Sequence, residues 1–229
     1  MNARYDENQT PLHVASQLGH IQAMHSLIER GANLNAENED KETPLFLVSR
    51  NGNEEATQLL LRCDAEVDHR DRGERTPLHG ASENGHYLVT RLLLKFRANS
   101  DARNMYDWTP LHLASRTGKS AVARVLLEWG AEVNALNDCG WTPLHIASQK
   151  GHLGVVELLL ANNAMMNTQD VCGETALHLA AYYGHFTVAE LLINHGANVR
   201  MQNNDRKTPL DLARREELEA VARLLEARG

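Results

Sequence analysis

Twelve histidines and three cysteines are the side chains of this 229-residue chain best suited to bind a metal or move a proton. Imidazole titrates near neutral pH and ligates transition metals; a thiolate is both a nucleophile and a soft ligand. Spacing decides between those roles and a structural one. His13, His79, His112, His145 and His178 lie on one 33-residue ruler, and His20, His86, His152 and His185 lie on the same ruler seven residues later. That regularity assigns them to a repeated unit rather than to one shared site, as imidazoles bonding backbone across a turn. His25, His69 and His195 fall off the ruler and read as surface residues. Cys139 and Cys172 are one repeat apart. Packed helices lie roughly 10 Å apart, and a disulfide needs Cα atoms within about 7 Å, so both read as free thiols near loop tips. Without Cys-x-x-Cys spacing, zinc is not expected. No phosphate-cradling glycine loop, metalloprotease helix or nucleophile elbow occurs. The chain is therefore read as non-catalytic, with no metal and no cofactor.

The elements that carry these residues follow from a tetrad. Thr142-Pro143-Leu144-His145 returns at Thr10, Thr43, Thr76, Thr109, Thr175 and Thr208, giving seven copies without an insertion. The threonine hydroxyl can cap a helix start, and proline suits the first helical position, where its missing N–H costs nothing. Nine residues after each threonine stand Gly19, Gly52, Gly85, Gly118, Gly151 and Gly184, suited to the left-handed turn that closes a helix; only Glu217 breaks the series. Seventeen residues after each threonine stands a leucine, from Leu27 to Leu225. Val155, Val156, Leu158, Leu159 and Leu160 show the helical spacing of a second helix. That helix ends at Gly31, Gly130 and Gly196, but at Asp64, Arg97 and Asn163 elsewhere, where a strained turn is expected. Each unit reads as helix, turn, helix, loop.

With its Thr-Pro-Leu-His tetrads, its Gly151-His152 and Gly184-His185 pairs and its Gly130-Ala131-Glu132-Val133-Asn134 ending, the chain resembles the ankyrin repeat family over essentially its whole length. The resemblance implies an all-α repeat solenoid of about seven repeats over residues 1–229, each a helix–turn–helix followed by a β-hairpin finger, with a concave binding face. Six repeat-to-repeat steps give a length on the order of 50–60 Å. Asp211, Arg214, Glu217 and Glu226 put charge where other repeats have apolar or small residues or histidine, so the last repeat reads as a charged cap. Residues 1–9 supply half a finger before Thr10, and Ser26, standing where other repeats have Leu or Val, hints at a partial cap. Asn35, Asn134 and Asn167 match the family's loop asparagine, a position β-hydroxylated in some ankyrin repeats; bonding the loop backbone is enough to explain them.

Composition narrows the partner. A net charge of −7 argues against a general nucleic-acid binder. No apolar run is long enough to span a bilayer, and an odd cysteine count does not make a disulfide framework, which fits a reducing cytoplasm or nucleus. By resemblance the partner is a protein or peptide, not a nucleic acid, a membrane or a small-molecule substrate, and the array is expected to be monomeric. Its surface is formed by the residue before each threonine (Gln9, Glu42, Arg75, Trp108, Trp141, Glu174, Lys207) and the two before each central glycine, such as Glu83-Asn84, Arg116-Thr117, Gln149-Lys150 and Tyr182-Tyr183. These positions vary among the repeats, and four of the eleven Phe, Trp and Tyr residues occupy them: Trp108, Trp141, Tyr182 and Tyr183. Met105 and Tyr106 lie beside Trp108, and Val171 lies on the finger after Trp141. Aromatic anchors with arginine nearby are typical of interface hot spots, so the expected site is Met105, Tyr106, Trp108, Arg116, Trp141, Gln149, Lys150, Val171, Tyr182 and Tyr183. Packing of each ring on its own neighbouring finger is the competing explanation. Trp129, ending a second helix, is read as packing. The acidic second finger (Glu37, Glu39, Asp40, Glu42) and basic third finger (Arg70, Arg72, Arg75) read as a mutually compensating pair. Two other readings are a designed scaffold without a natural partner and a substrate-recruiting segment of a larger enzyme complex.

Overall fold

The tetrad does locally what its residue types dictate, and the stack follows. In a computed structural model, which describes residues 6–228, fourteen α-helices alternate between two layers. First helices are α1 (Pro11–Leu18), α3 (Pro44–Asn51), α5 (Pro77–Asn84), α7 (Pro110–Arg116), α9 (Pro143–Lys150), α11 (Ala176–Tyr182) and α13 (Pro209–Arg215). Second helices are α2 (Ile21–Glu29), α4 (Glu54–Arg62), α6 (Tyr87–Lys95), α8 (Ser120–Glu128), α10 (Leu153–Ala161), α12 (Phe186–Asn194) and α14 (Glu219–Glu226). The expected half-finger before Thr10 lies partly outside the described residues.

Each first helix except α3, where Phe46 leaves only the Thr43 hydroxyl accepting from the Phe46 N–H, opens with the same reciprocal cap. The Thr142 hydroxyl oxygen accepts from the His145 N–H at 3.3 Å, while His145 Nδ1 accepts from the Thr142 N–H at 3.1 Å. Two otherwise unpaired donors at a helix start are thereby satisfied. The last repeat achieves this with a carboxylate: Asp211 Oδ2 accepts from the Thr208 N–H and hydroxyl, both at 2.9 Å, and those bonds hold its carboxyl below its ordinary value. At the other end Gly151 takes φ 71°. An added Cβ there would sit 2.5 Å from His185 Nδ1, so the glycine provides both the left-handed turn and the space for the next repeat's imidazole. Asp64, Arg97 and Asn163 adopt φ 63°, 67° and 62°, the strained turns expected of them.

Leucines, valines and alanines from both layers form one continuous apolar cluster from Leu12 to Leu225. First helices pack on each other more closely than second helices do. This is an all-α repeat solenoid with about seven repeats.

The fingers differ from expectation. Among the described residues no strand is formed; each finger is a tight turn closed by a side chain. Asn104 Oδ1 accepts from the N–H groups of Tyr106 (2.9 Å) and Trp108 (3.0 Å), and two backbone bonds, Asn104 N–H to Trp108 C=O at 3.1 Å and Asp107 N–H to Asn104 C=O at 2.9 Å, close the turn. Asn38, Asp71, Asn137, Asp170 and Asn203 do the same on the same 33-residue ruler. A side-chain acceptor thus takes donors that a hairpin ladder would have used. Neighbouring tips are laced by backbone bonds, for example Met105 N–H to Gly73 C=O at 3.1 Å and Val171 N–H to Cys139 C=O at 3.3 Å.

Candidate functional site

The histidine ruler explains how the variable side chains are held. His79 Nε2 donates to the Trp108 carbonyl at 2.9 Å, and His112 Nε2 to the Trp141 carbonyl at 3.0 Å. Each tetrad histidine thus clamps the main chain of the next finger, whose side chain stays available. The second set works backward: His86, His152 and His185 bond the carbonyls of Arg50, Arg116 and Gln149 in the preceding repeat. Burial lowers His79 and His112 to about 4, with the carbonyl bonds offsetting part of that cost, and lowers His145 and His178 in the same direction. They are neutral structural imidazoles. His69 is not the plain surface residue expected, because Nε2 and Nδ1 lie 3.1 Å and 3.2 Å from carboxylates of Glu37 and Glu66, bridging two loops. The loop asparagines also act between repeats: Asn35, Asn134 and Asn167 accept from the N–H groups of Glu66, Met165 and Asn198.

Three of the expected site residues meet around one cavity of about 430 Å3 between fingers three, four and five. Trp108 forms one wall, half-buried, with the Arg116 guanidinium 5.0 Å from its ring centre. Tyr106 (55% exposed) forms another, and Arg116 is paired with Glu83. Asn104, Leu113, Asp138 and Cys139 also line the cavity and were not foreseen; they reach it from the finger base, the helix floor and the next finger tip. Met105 and Val171, 58% and 65% exposed, stand on the tips beside it.

Trp141 behaves differently. Its Nε1–H donates to Asp170 Oδ2 at 2.7 Å, so this ring is fastened to the following finger, as the packing explanation anticipated. Tyr182 and Tyr183 form a second cluster, with ring centres 4.9 Å apart and edge to face. Arg215 covers Tyr182 at 5.2 Å, and Gln149 Nε2 lies 3.2 Å from the Tyr183 hydroxyl. Lys150 is exposed at the end of α9. Trp129 is 48% exposed, not the packed residue expected. The charged fingers compensate each other only through Arg72, which faces Asp40 across the step at 3.6 Å; Arg70 and Arg75 pair with Glu74 and Asp71 inside their own finger, and Glu42 pairs with Arg50.

All three cysteines are free. Neighbouring carboxylates and burial raise Cys139 and Cys172 above the ordinary thiol value, with desolvation foremost for Cys139 and the charge of Asp170 foremost for Cys172. Among the described residues no group of three His, Cys, Asp or Glu is placed to hold a metal, and no helix is long and apolar enough to cross a membrane.

The sequence model for ankyrin repeats, in its three-copy form, matches residues 1–71, 45–137, 99–170 and 144–229, which together span the chain. The protein belongs to the ankyrin repeat family. Ankyrin repeats generally mediate protein–protein interaction and are typically non-catalytic. No curated protein matches the chain.

Proposed function

We propose that this array is a non-catalytic module that binds a protein or peptide through the finger tips and first helices of repeats four to six. The observation that carries the reading is the Trp108 cavity. Its aromatic walls are presented by a backbone already fixed at both ends, the Trp108 N–H by Asn104 and its C=O by His79, so little ordering entropy is lost on binding. The cavity opens beside Met105 and Tyr106, and a large partner side chain can enter it as an anchor.

The test compares the array with a Tyr106→Ala, Trp108→Ala, Arg116→Ala variant as immobilised bait, after circular dichroism shows equal helicity. A partner captured by the first and lost by the second supports the assignment. Equal capture by both sinks it and moves the site toward the Tyr182–Tyr183 cluster or the charged fingers.

A further inference from the structure

The charges that line the Trp108 cavity do not all have partners. Both arginines there are already engaged: Arg75 pairs with the buried Asp71 carboxylate at 2.7 Å, and Arg116 pairs with Glu83 while covering the Trp108 ring. Asp138 is the charge left over. Its side chain is exposed, enters no ion pair among the described residues, and meets the thiol of its neighbour Cys139. The Asp138 N–H donates to the Tyr106 carbonyl at 3.3 Å, so fingers four and five are joined where this carboxylate and the exposed Tyr106 ring enter the cavity. Buried Leu113 adds apolar surface from the helix below.

Three kinds of anchoring side chain fare differently in such a cavity. An acidic one would have to displace the carboxylates that already hold both arginines, and Asp138 would repel it. An aliphatic or aromatic one would strip water from the Asp138 carboxylate and give it no partner, which is unfavourable for a charge. A lysine or arginine meets both requirements: its methylene stem covers the apolar surface of Tyr106 and Leu113, and its head group gives Asp138 a charge-assisted hydrogen bond. An aromatic wall adds attraction for the cation. Asp71 and Glu83 neutralise Arg75 and Arg116, so neither guanidinium strongly opposes the incoming charge.

We propose, resting on the reading of this cavity as the binding site, that it selects a basic side chain, lysine or arginine, from a partner polypeptide, with the stem against Tyr106 and Leu113 and the charge on Asp138. Asp138 is then the residue that sets specificity. Tyr106 and Trp108 supply contact area but do not choose the sign of the charge. The choice is local to one finger tip: the positions matching Asp138 on the two flanking fingers are Met105 and Val171, which carry no charge.

The probe is a library of random dodecapeptides displayed on phage. It is selected on the immobilised full chain and, in parallel, on the Tyr106→Ala, Trp108→Ala, Arg116→Ala variant, with circular dichroism confirming that every variant folds. Peptides retained by the native chain alone should share one lysine or arginine position. For such a peptide, fluorescence anisotropy should show binding weakened about tenfold by glutamine at that position or by Asp138→Asn in the chain, and little further by the two together. Asp205→Asn, which removes an exposed carboxylate from finger seven, should leave binding unchanged; this separates a local pair from general attraction of a basic peptide to a chain of net charge −7. Selection on Asp138→Lys should replace the basic position with aspartate or glutamate. Cavity-dependent peptides that share an aliphatic, aromatic or acidic anchor, or whose basic residue is indifferent to Asp138→Asn, overturn this assignment and leave the binding site standing. Peptides held equally by the triple variant, or no enrichment at all, overturn the site and its anchor together.

Discussion

Acidification from pH 7 to pH 5 should weaken the fold by about 2 kcal/mol for each of His79 and His112. Both are fully buried and neutral, each with Nδ1 accepting a threonine N–H and Nε2 donating to a tryptophan carbonyl. Desolvation is the main reason that they sit at about 4 against an ordinary 6.5. A proton added at Nδ1 would also face the N–H that now points at it. Because the folded value lies below the unfolded one, the unfolded chain takes up protons first as the pH falls. The contribution is therefore complete above about 6.5 and is lost progressively down to about 4. At pH 5 the unfolded imidazole is almost fully protonated and the folded one only about one-tenth. With about 1.4 kcal/mol per pH unit, that gives the 2 kcal/mol for each and about 4 for the pair. His145 and His178 shift the same way and add to the loss. Asp68 and Glu174, raised mainly by burial, act in the opposite sense and offset part of the loss.

The assay is urea unfolding followed by circular dichroism at pH 7, 6 and 5. Slopes are compared at each pH, because a repeat array need not unfold in one step. Histidine C2-proton titration by NMR supplies the site-specific values. Stability that stays flat between pH 7 and pH 5, or His79 and His112 signals that titrate near 6.5, would refute the argument that buried neutral imidazoles clamp the fingers.

Three further outcomes follow from local geometry. Gly151→Ala should cost about 2–4 kcal/mol, because it adds a Cβ 2.5 Å from His185 Nδ1 at φ 71°, whereas Gly130→Ala, at φ 84° with nothing within 4 Å, should cost only the backbone strain of about 1 kcal/mol; chemical denaturation of the two variants checks the difference. Trp141→Phe should cost about 1–3 kcal/mol by removing the Nε1–H bond to the buried Asp170 carboxylate, while Trp108→Phe should cost less, and equal losses in thermal unfolding would contradict the distinction between the two rings. Asn137→Ala removes the acceptor of the Cys139 and Trp141 N–H groups, so hydrogen exchange at those two amides should accelerate at least tenfold while amides in α9 stay protected.

The fold was legible because each repeat restates it. Thr, Pro and Gly act through their own φ/ψ and hydrogen-bonding preferences, and these do not depend on the tertiary environment. The fingers were misjudged because turn-rich sequence was read for strand pairing. The decisive residues, Asn104 and its counterparts, were visible at the repeat spacing as side-chain acceptors for their own turns. The site was legible only where one residue suffices. Trp108 and Tyr106 could be picked by type and position, but Leu113, Asp138 and Cys139 enter the cavity through the angle at which successive repeats stack. The same holds for Trp141: whether an indole N–H is free or fastened depends on a carboxylate 29 residues away.

A division of labour in the finger follows from these bonds. At Trp108 the frame bonds only main-chain atoms, Asn104 holding the N–H and His79 the carbonyl; at Trp141 Asn137 and His112 do the same, but Asp170 also fastens the indole. The Trp108 side chain can change without disturbing the bonds that place it, so variation there costs recognition before it costs stability, whereas Trp141 also contributes to the fold. Repeat two departs from the rule. Phe46 occupies the tetrad histidine's place and cannot clamp Arg75; its buried ring instead packs against the Arg75 and Arg50 guanidiniums, at 5.5 Å and 5.6 Å, while Arg50 pairs with Glu42. There the side chains hold the finger and are committed to the fold. This is a physical reason for placing recognition at repeats four to six, where the main-chain clamps are complete and the aromatic side chain of Trp108 is left to meet a partner.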